Sequence, residues 1–192
     1  MQAATCIFNP AYLLAMRVIA GQWRGRPLKA PPGAATRPTS DRVREALFSI
    51  LAARVADARV LDLFAGSGAL GIEALSRGAQ TATFVDDAPA AIRAIEANLA
   101  TLRAAAEVRR SDVLRFLTSA RRGAAQYDLV FLDPPYRDAE RLAPALSEAL
   151  PAVLAPGAVA VAESDRRAPL ALDLPLKDER RYGDTLIRIH GS

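Results

Sequence analysis

The sequence predicts an α/β fold built on a mostly parallel sheet and closed by an antiparallel final strand. Three features carry that expectation. From residue 59 onward, short and nearly continuous apolar runs alternate with amphipathic stretches, the pattern of strands covered by helices on both faces. Gly66, Gly68 and Gly71 follow the first of those runs, where a strand has to turn sharply into a helix. Near the end, Gly183-Asp184 separates two strand-like runs, 174–182 and 185–190, which reads as a hairpin. A chain of 192 residues with 51% hydrophobic content suffices for one domain with a sizeable core.

Taken in order, residues 1–15 read as a disordered extension or a misassigned start. Asn9-Pro10 interrupts their apolar stretch, no basic segment leads it as in a secretory signal, and Met16 opens a natural protein start. Residues 16–58 form a basic appendage. Strands 17–22 and 27–30 flank Trp23-Arg24-Gly25 as a small β-hairpin, and a Pro/Gly/Thr-rich loop covers 31–39. Val43, Ala46, Leu47, Ile50 and Leu51 then fall on one face of a helix, behind Thr39, Ser40 and Asp41 as candidate caps. Residues 59–192 form the larger unit. Its strands are 59–64, 81–86, 107–111, 127–132 and 157–163, followed by the terminal hairpin, giving a seven-stranded sheet. Helices 69–77, 89–103, 112–122 and 138–154 connect them; Gly78 closes the first, Pro89 starts the second and Pro144 lies inside the last.

Composition removes several classes of chemistry. One cysteine, Cys6, excludes an internal disulfide and a multi-cysteine metal site, and one histidine, His190, argues against a histidine-based centre, so no metal is expected. No apolar run approaches the roughly 18 residues of a membrane span. The net charge is +4, but residues 1–59 hold nine basic and three acidic groups whereas the rest hold sixteen and eighteen. Arg17, Arg24, Arg26, Lys29, Arg37, Arg42 and Arg44 thus concentrate the excess ahead of the first strong strand, as suits a polyanion. The competing explanation is a solvated basic surface, with 23 arginines against 2 lysines reflecting coding bias.

The first strand ends Asp62-Leu63-Phe64-Ala65-Gly66-Ser67-Gly68-Ala69-Leu70-Gly71. Taken alone, the glycines fit a dinucleotide fingerprint, with Asp86 placed 20 residues after Gly66 to hold a ribose hydroxyl. Asp62 separates the rivals. A pyrophosphate needs helix N-terminal amides and would be repelled by an acid beside the loop, whereas a carboxylate suits the amine and sulfonium of S-adenosyl-L-methionine. Phe64, Ala65, Gly66, Ser67 and Gly68 are therefore expected to line that cofactor. Asp87 competes with Asp86 for the ribose. Asp112, at the next strand end, is either an acceptor for the adenine amino group or an ordinary helix cap.

The fourth strand ends Leu132-Asp133-Pro134-Pro135-Tyr136, the most specific signal in the chain. An exocyclic base amine is a poor nucleophile because its lone pair is delocalised into the ring. Asp133 and the Pro134 carbonyl can both accept its N–H groups and draw the nitrogen toward a tetrahedral form. The two prolines hold those acceptors stiffly, and Tyr136 offers a ring on which an extruded base can stack.

Asp-Pro-Pro-Tyr after such a glycine loop resembles the amino methyltransferases of adenine, cytosine or guanine. More narrowly, the chain resembles the RsmD family, bacterial guanine-N2 methyltransferases of 16S ribosomal RNA. The carriers are Arg17-Val18-Ile19-Ala20-Gly21, Thr36-Arg37-Pro38-Thr39, Asp41-Arg42-Val43-Arg44-Glu45-Ala46-Leu47-Phe48, the loop from Leu61 to Gly68, Asp133-Pro134-Pro135-Tyr136 and Tyr182-Gly183-Asp184-Thr185. The resemblance implies a Rossmann-like class I methyltransferase fold, S-adenosyl-L-methionine as donor and a guanine N2 in the small ribosomal subunit, or its assembly intermediate, as acceptor. It also implies RNA recognition by the hairpin, for which Arg24, Arg26, Arg37 and Arg42 are the candidates; a salt bridge of Arg37 or Arg42 with Asp41 or Glu45 is the structural alternative. The extension before Met16 departs from the family pattern, and Asp86 stands where many relatives carry glutamate. A cytoplasmic monomer is expected. The alternative is a DNA amino methyltransferase acting on adenine N6 or cytosine N4, which shares both loops but normally needs an added target-reading region. A glutamine methyltransferase would begin the fourth-strand loop with Asn, and an RNA-binding module without activity leaves that loop unused.

Overall fold

The computed structural model describes residues 16–32 and 41–191, so the extension 1–15 and the loop residue Arg37 lie outside the described residues. Seven strands, β1 (Arg59–Leu63), β2 (Thr81–Asp86), β3 (Glu107–Arg110), β4 (Tyr127–Leu132), β5 (Leu154–Asp165), β6 (Leu176–Tyr182) and β7 (Thr185–Gly191), form one sheet. Their order is β3-β2-β1-β4-β5-β7-β6. β1 to β5 pair in parallel, and β7 pairs antiparallel with both β5 and β6.

Side-chain alternation along the strands assigns two apolar layers. Val60, Phe84, Leu129 and Phe131 face a layer completed by α1 (Asp41–Leu51), α2 (Ala69–Ser76) and α3 (Pro89–Leu102). Leu61, Leu63, Val130 and Leu132 face the opposite layer, filled from α4 (Val113–Arg122) and α5 (Ala139–Ala149). Phe84 and Phe131 are fully buried, and each contributes about 1.5–3 kcal/mol through apolar area removed from water. The helices switch faces between β1 and β4, so the crevice outside the carboxyl ends of those two strands is where such a sheet takes its ligand.

Four expectations are corrected by the structure. The N-terminal hairpin contains one bridge, Arg17 to Pro27, rather than two strands. Gly21 and Gly25 both adopt positive φ and widen the turn; Val18 N–H still donates across it to the Arg26 carbonyl at 3.0 Å, but the amides that follow bond to α2 instead of extending the pairing. Ile19 and Ala20 donate to the carboxylate of buried Glu73 at 2.7 and 3.0 Å, and Trp23 donates to Ser76 Oγ at 3.0 Å. On α1 the buried face is Val43, Arg44, Leu47, Phe48 and Leu51, with Ile50 exposed. β5 starts at Leu154, ahead of Pro156-Gly157, because an irregularity in its pairing with β4 lets the strand pass them. α5 stops at Ala149, and a single 3-10 turn, Leu150–Ala152, replaces its expected last turn, where Pro151 cannot donate.

Candidate functional site

The loop after β1 has an unusual backbone. Phe64, Gly66 and Gly68 all take positive φ, at 59°, 57° and 76°. For Phe64 this is a strained conformation, held because its neighbours are tied on both sides. Ala65 N–H donates to the Val85 carbonyl at 3.1 Å, Gly68 N–H to the Ala65 carbonyl at 2.7 Å, and Gly66 N–H to Asp86 Oδ2 at 2.9 Å. Gly71 serves packing: a Cβ there would run into the ring of buried Phe84. Asn98 in α3 fastens the loop to the appendage, donating to the carbonyls of both Ser67 and Lys29 at 3.0 Å.

Asp62 sits on the α2 side of β1, 2% exposed, and its Oδ2 accepts from Gly71 N–H at 2.9 Å. Burial pushes its carboxyl up to about 7, opposed by the Gly71 hydrogen bond and reinforced by the charge of Asp86. Burial raises Asp86 as well, against hydrogen bonds from Gly66 and Ala88. Asp86 thus ties the β1 and β2 loops together while facing the same space, and the rival Asp87 lies exposed on the same wall.

Asp133 directly follows β4, with its N–H directed at the Leu63 carbonyl, 3.5 Å away. Its side chain keeps some surface open to the crevice. Enclosure of the remainder raises its carboxyl well above the usual range, and the charges of Glu163 and Asp62 add to that. Pro134 is buried, Pro135 is exposed, and the Pro135 carbonyl accepts from Asp138 N–H at 2.8 Å. Tyr136 opens a short 3-10 turn, Tyr136–Asp138, and its side chain lies outside the described part of the structure.

Between these loops lies a cavity of about 530 Å³, lined by Asp62, Asp86, Asp87 and Asp133, by residues 64–67 and by Met16 and Arg44. The volume suits a ligand of nucleoside size. Its four carboxylates suit a ligand carrying positive charge, and the fit is steric as well, since a Cβ on Gly66 would meet only the Phe64 carbonyl oxygen, at 3.9 Å. A ligand can therefore approach that backbone closely. Of the residues expected at the cofactor, Asp62, Phe64, Ala65, Gly66, Ser67 and Asp86 line the cavity; Gly68 packs behind it, against Ile95 and Phe84. Asp112 is outside the lining and caps α4, its Oδ1 accepting from Arg115 N–H at 3.0 Å.

Arg24, Arg26 and Arg42 are exposed, and Arg26 donates to the Thr101 carbonyl at 3.3 Å. Asp41 pairs with Arg17 and Arg44 at 2.9 and 2.8 Å, and Arg42 makes no ion pair among the described residues. Sequence reasoning missed Glu73, Ser76, Asn98 and the burial of Arg44. The available signal was their polarity on otherwise apolar helix faces. Among the described residues, no group of three or more His, Cys, Asp or Glu could hold a metal ion, and no helix is long and apolar enough to cross a membrane.

Comparison with known proteins agrees with this geometry. The chain is 41% identical over 180 residues to YlbH of Bacillus subtilis, a protein named as a candidate rRNA methyltransferase, covering 91% of this chain and 98% of that one. It is 50% identical over 123 residues to ribosomal RNA small subunit methyltransferase D of Escherichia coli, covering 64% of this chain and 61% of the relative. The solved structure of yhhF from Escherichia coli, a candidate methyltransferase, superposes with a TM-score of 0.77 at 39% identity, over 92% of this chain and 97% of that one. The fold is that of the Rossmann-like class I methyltransferases. Residues 16–191 match the model of the family described as conserved hypothetical protein 95, and the chain belongs to that family, the RsmD family that its motifs resemble.

Proposed function

We propose that the protein transfers a methyl group from S-adenosyl-L-methionine to the exocyclic N2 of a guanine in 16S ribosomal RNA, within the small subunit or its assembly intermediate. The observation that carries this reading is the placement of Asp133 on the same cavity wall as Asp62. In this reading Asp62 serves the cofactor and Asp133 the incoming amine. The names of the two curated relatives support rRNA as the substrate class.

The cofactor supplies an electrophilic methyl group on a cationic sulfur. Asp62 would hold its amino-acid end and Asp86 its ribose, whereas Asp112, the acceptor expected for the adenine amino group, lies outside the cavity lining and caps α4. The loop residues 64–67 would cover the cofactor's middle. Asp133 and the Pro134 carbonyl accept N–H bonds from the base amine and direct its lone pair at the donor, and Tyr136 stacks on the base. The nitrogen–carbon bond forms as the sulfur–carbon bond breaks, and the proton leaves the nitrogen for solvent. Positive charge in the cavity relieves the repulsion among Asp133, Asp62 and Glu163 and favours the ionised Asp133 that this role requires. Arg24, Arg26, Arg37 and Arg42 contact RNA phosphates from the appendage, and the protein works as a monomer in the cytoplasm.

The test is incubation with labelled cofactor and small subunits lacking the modification, followed by nucleoside analysis. Label on guanine N2 at one position is expected. Label on adenine or cytosine amines, or on DNA alone, contradicts the proposal.

A further inference from the structure

Arg44 is one of the largest fully buried side chains in the protein, 1% exposed, yet it reaches the cavity wall. Its Nη2 donates to the Arg17 carbonyl at 2.6 Å and to Asp41 Oδ1 at 2.8 Å, which fixes that end of the guanidinium. Its Nε and Nη1 are buried and donate to no described residue. Desolvation pulls its pKa down against the attraction of Asp41, Glu73 and Glu163. Unmade hydrogen bonds from a buried charge are costly, so such donors point to a partner that arrives from outside.

The wall says what that partner is. Among the described residues lining the cavity, Arg44 is the one cation, set against Asp62, Asp86, Asp87 and Asp133. A cofactor with a sulfonium, an amine and an α-carboxylate meets favourable charge on this wall everywhere except at its carboxylate. We infer that Arg44 receives that α-carboxylate on a donor the protein itself leaves unpartnered. The inference rests on the cofactor assignment proposed above and deepens it. Asp62 then selects the amine and Arg44 the carboxylate of the same amino-acid end. Arg44 is held by Arg17 and Asp41, so the appendage that carries the RNA-facing arginines also holds the cofactor's anchor.

The experiment is calorimetric titration of the full chain with two ligands. S-adenosylhomocysteine carries the amino-acid end; 5′-methylthioadenosine keeps the adenosine and sulfur without it. In Arg44→Gln, S-adenosylhomocysteine should weaken by about 10- to 100-fold while 5′-methylthioadenosine changes by less than about 3-fold. Equal losses for both ligands, or none for either, overturn the inference. If the variant does not fold, the wild type is titrated with the methyl ester of S-adenosylhomocysteine: a loss of at least about 10-fold supports Arg44 as the anchor, and unchanged affinity overturns it. Wild-type protein that binds neither ligand sinks the cofactor assignment; binding that Arg44→Gln leaves untouched sinks only the role of Arg44.

Discussion

Replacing Asp62 with asparagine separates the use of this carboxylate from its burden on the fold. Burial holds the Asp62 carboxyl up to about 7, against an ordinary value of 3.8. Between those values the folded chain keeps a proton that the unfolded chain releases. Stability is therefore fully present below the unfolded pKa and declines by about 1.4 kcal/mol per pH unit through the interval, levelling off above the folded pKa. The whole excursion is on the order of 4 kcal/mol by that slope. Asparagine still offers Gly71 N–H an acceptor and cannot ionise. Urea unfolding at several values from about pH 5 to pH 8 should show Asp62→Asn gaining a few kcal/mol on wild type as pH rises. Any constant penalty for the new amide shifts every point alike and leaves the slope intact. At about pH 8, where the wild-type carboxyl is ionised, the variant should bind S-adenosylhomocysteine about 10- to 100-fold more weakly, for want of a charge-assisted hydrogen bond to its amine. Parallel stability curves for the two proteins would refute the assignment of a buried, proton-holding carboxyl.

Glu73→Ala leaves the Ile19 and Ala20 amides and Arg77 without their shared acceptor; urea unfolding should show a loss of about 3–5 kcal/mol, and a loss under about 1 kcal/mol would contradict the clasp. Gly71→Ala drives a methyl group into the Phe84 ring, with an expected cost of about 1–3 kcal/mol from overpacking and weaker S-adenosylhomocysteine binding; an unchanged melting temperature would argue against this packing. Arg24→Ala and Arg26→Ala should each weaken RNA binding and lower the logarithmic salt slope by about 1, and an unchanged slope removes that residue from the RNA contact. Methyl transfer at limiting cofactor should rise with pH through an apparent pKa above the ordinary carboxylate range, because Asp133 must ionise and its carboxyl is raised; a rate that is flat with pH contradicts that requirement.

The regular strands of the sheet were legible because β1, β2 and β4 read as largely apolar runs with Asp62, Asp86 and Asp133 at or beside their carboxyl ends. Period and punctuation specify such elements locally. The appendage was less legible, since the amides of Ile19, Ala20 and Trp23 are satisfied by Glu73 and Ser76, more than 50 residues away; a local pattern cannot show a partner that only tertiary packing supplies. The same limit hid Arg44. Helical spacing placed Ala46 and Ile50 on the buried face, but α1 rotates toward Arg44 and Phe48, and Phe48 packs 5.8 Å from Phe131 between ring centroids. Asp112 satisfied two descriptions in sequence, and its capping hydrogen bond makes one of them concrete.

The most direct test of the account is a paired measurement on Asp133→Ala: S-adenosylhomocysteine affinity, and single-turnover methyl transfer to small subunits lacking the modification. The account predicts affinity within about 3-fold of wild type and a transfer rate lower by at least about 100-fold, the scale of losing a preorganised polar contact to the reacting group. Transfer within about 3-fold of wild type would show that the base amine does not depend on this carboxylate, and the central claim would fall.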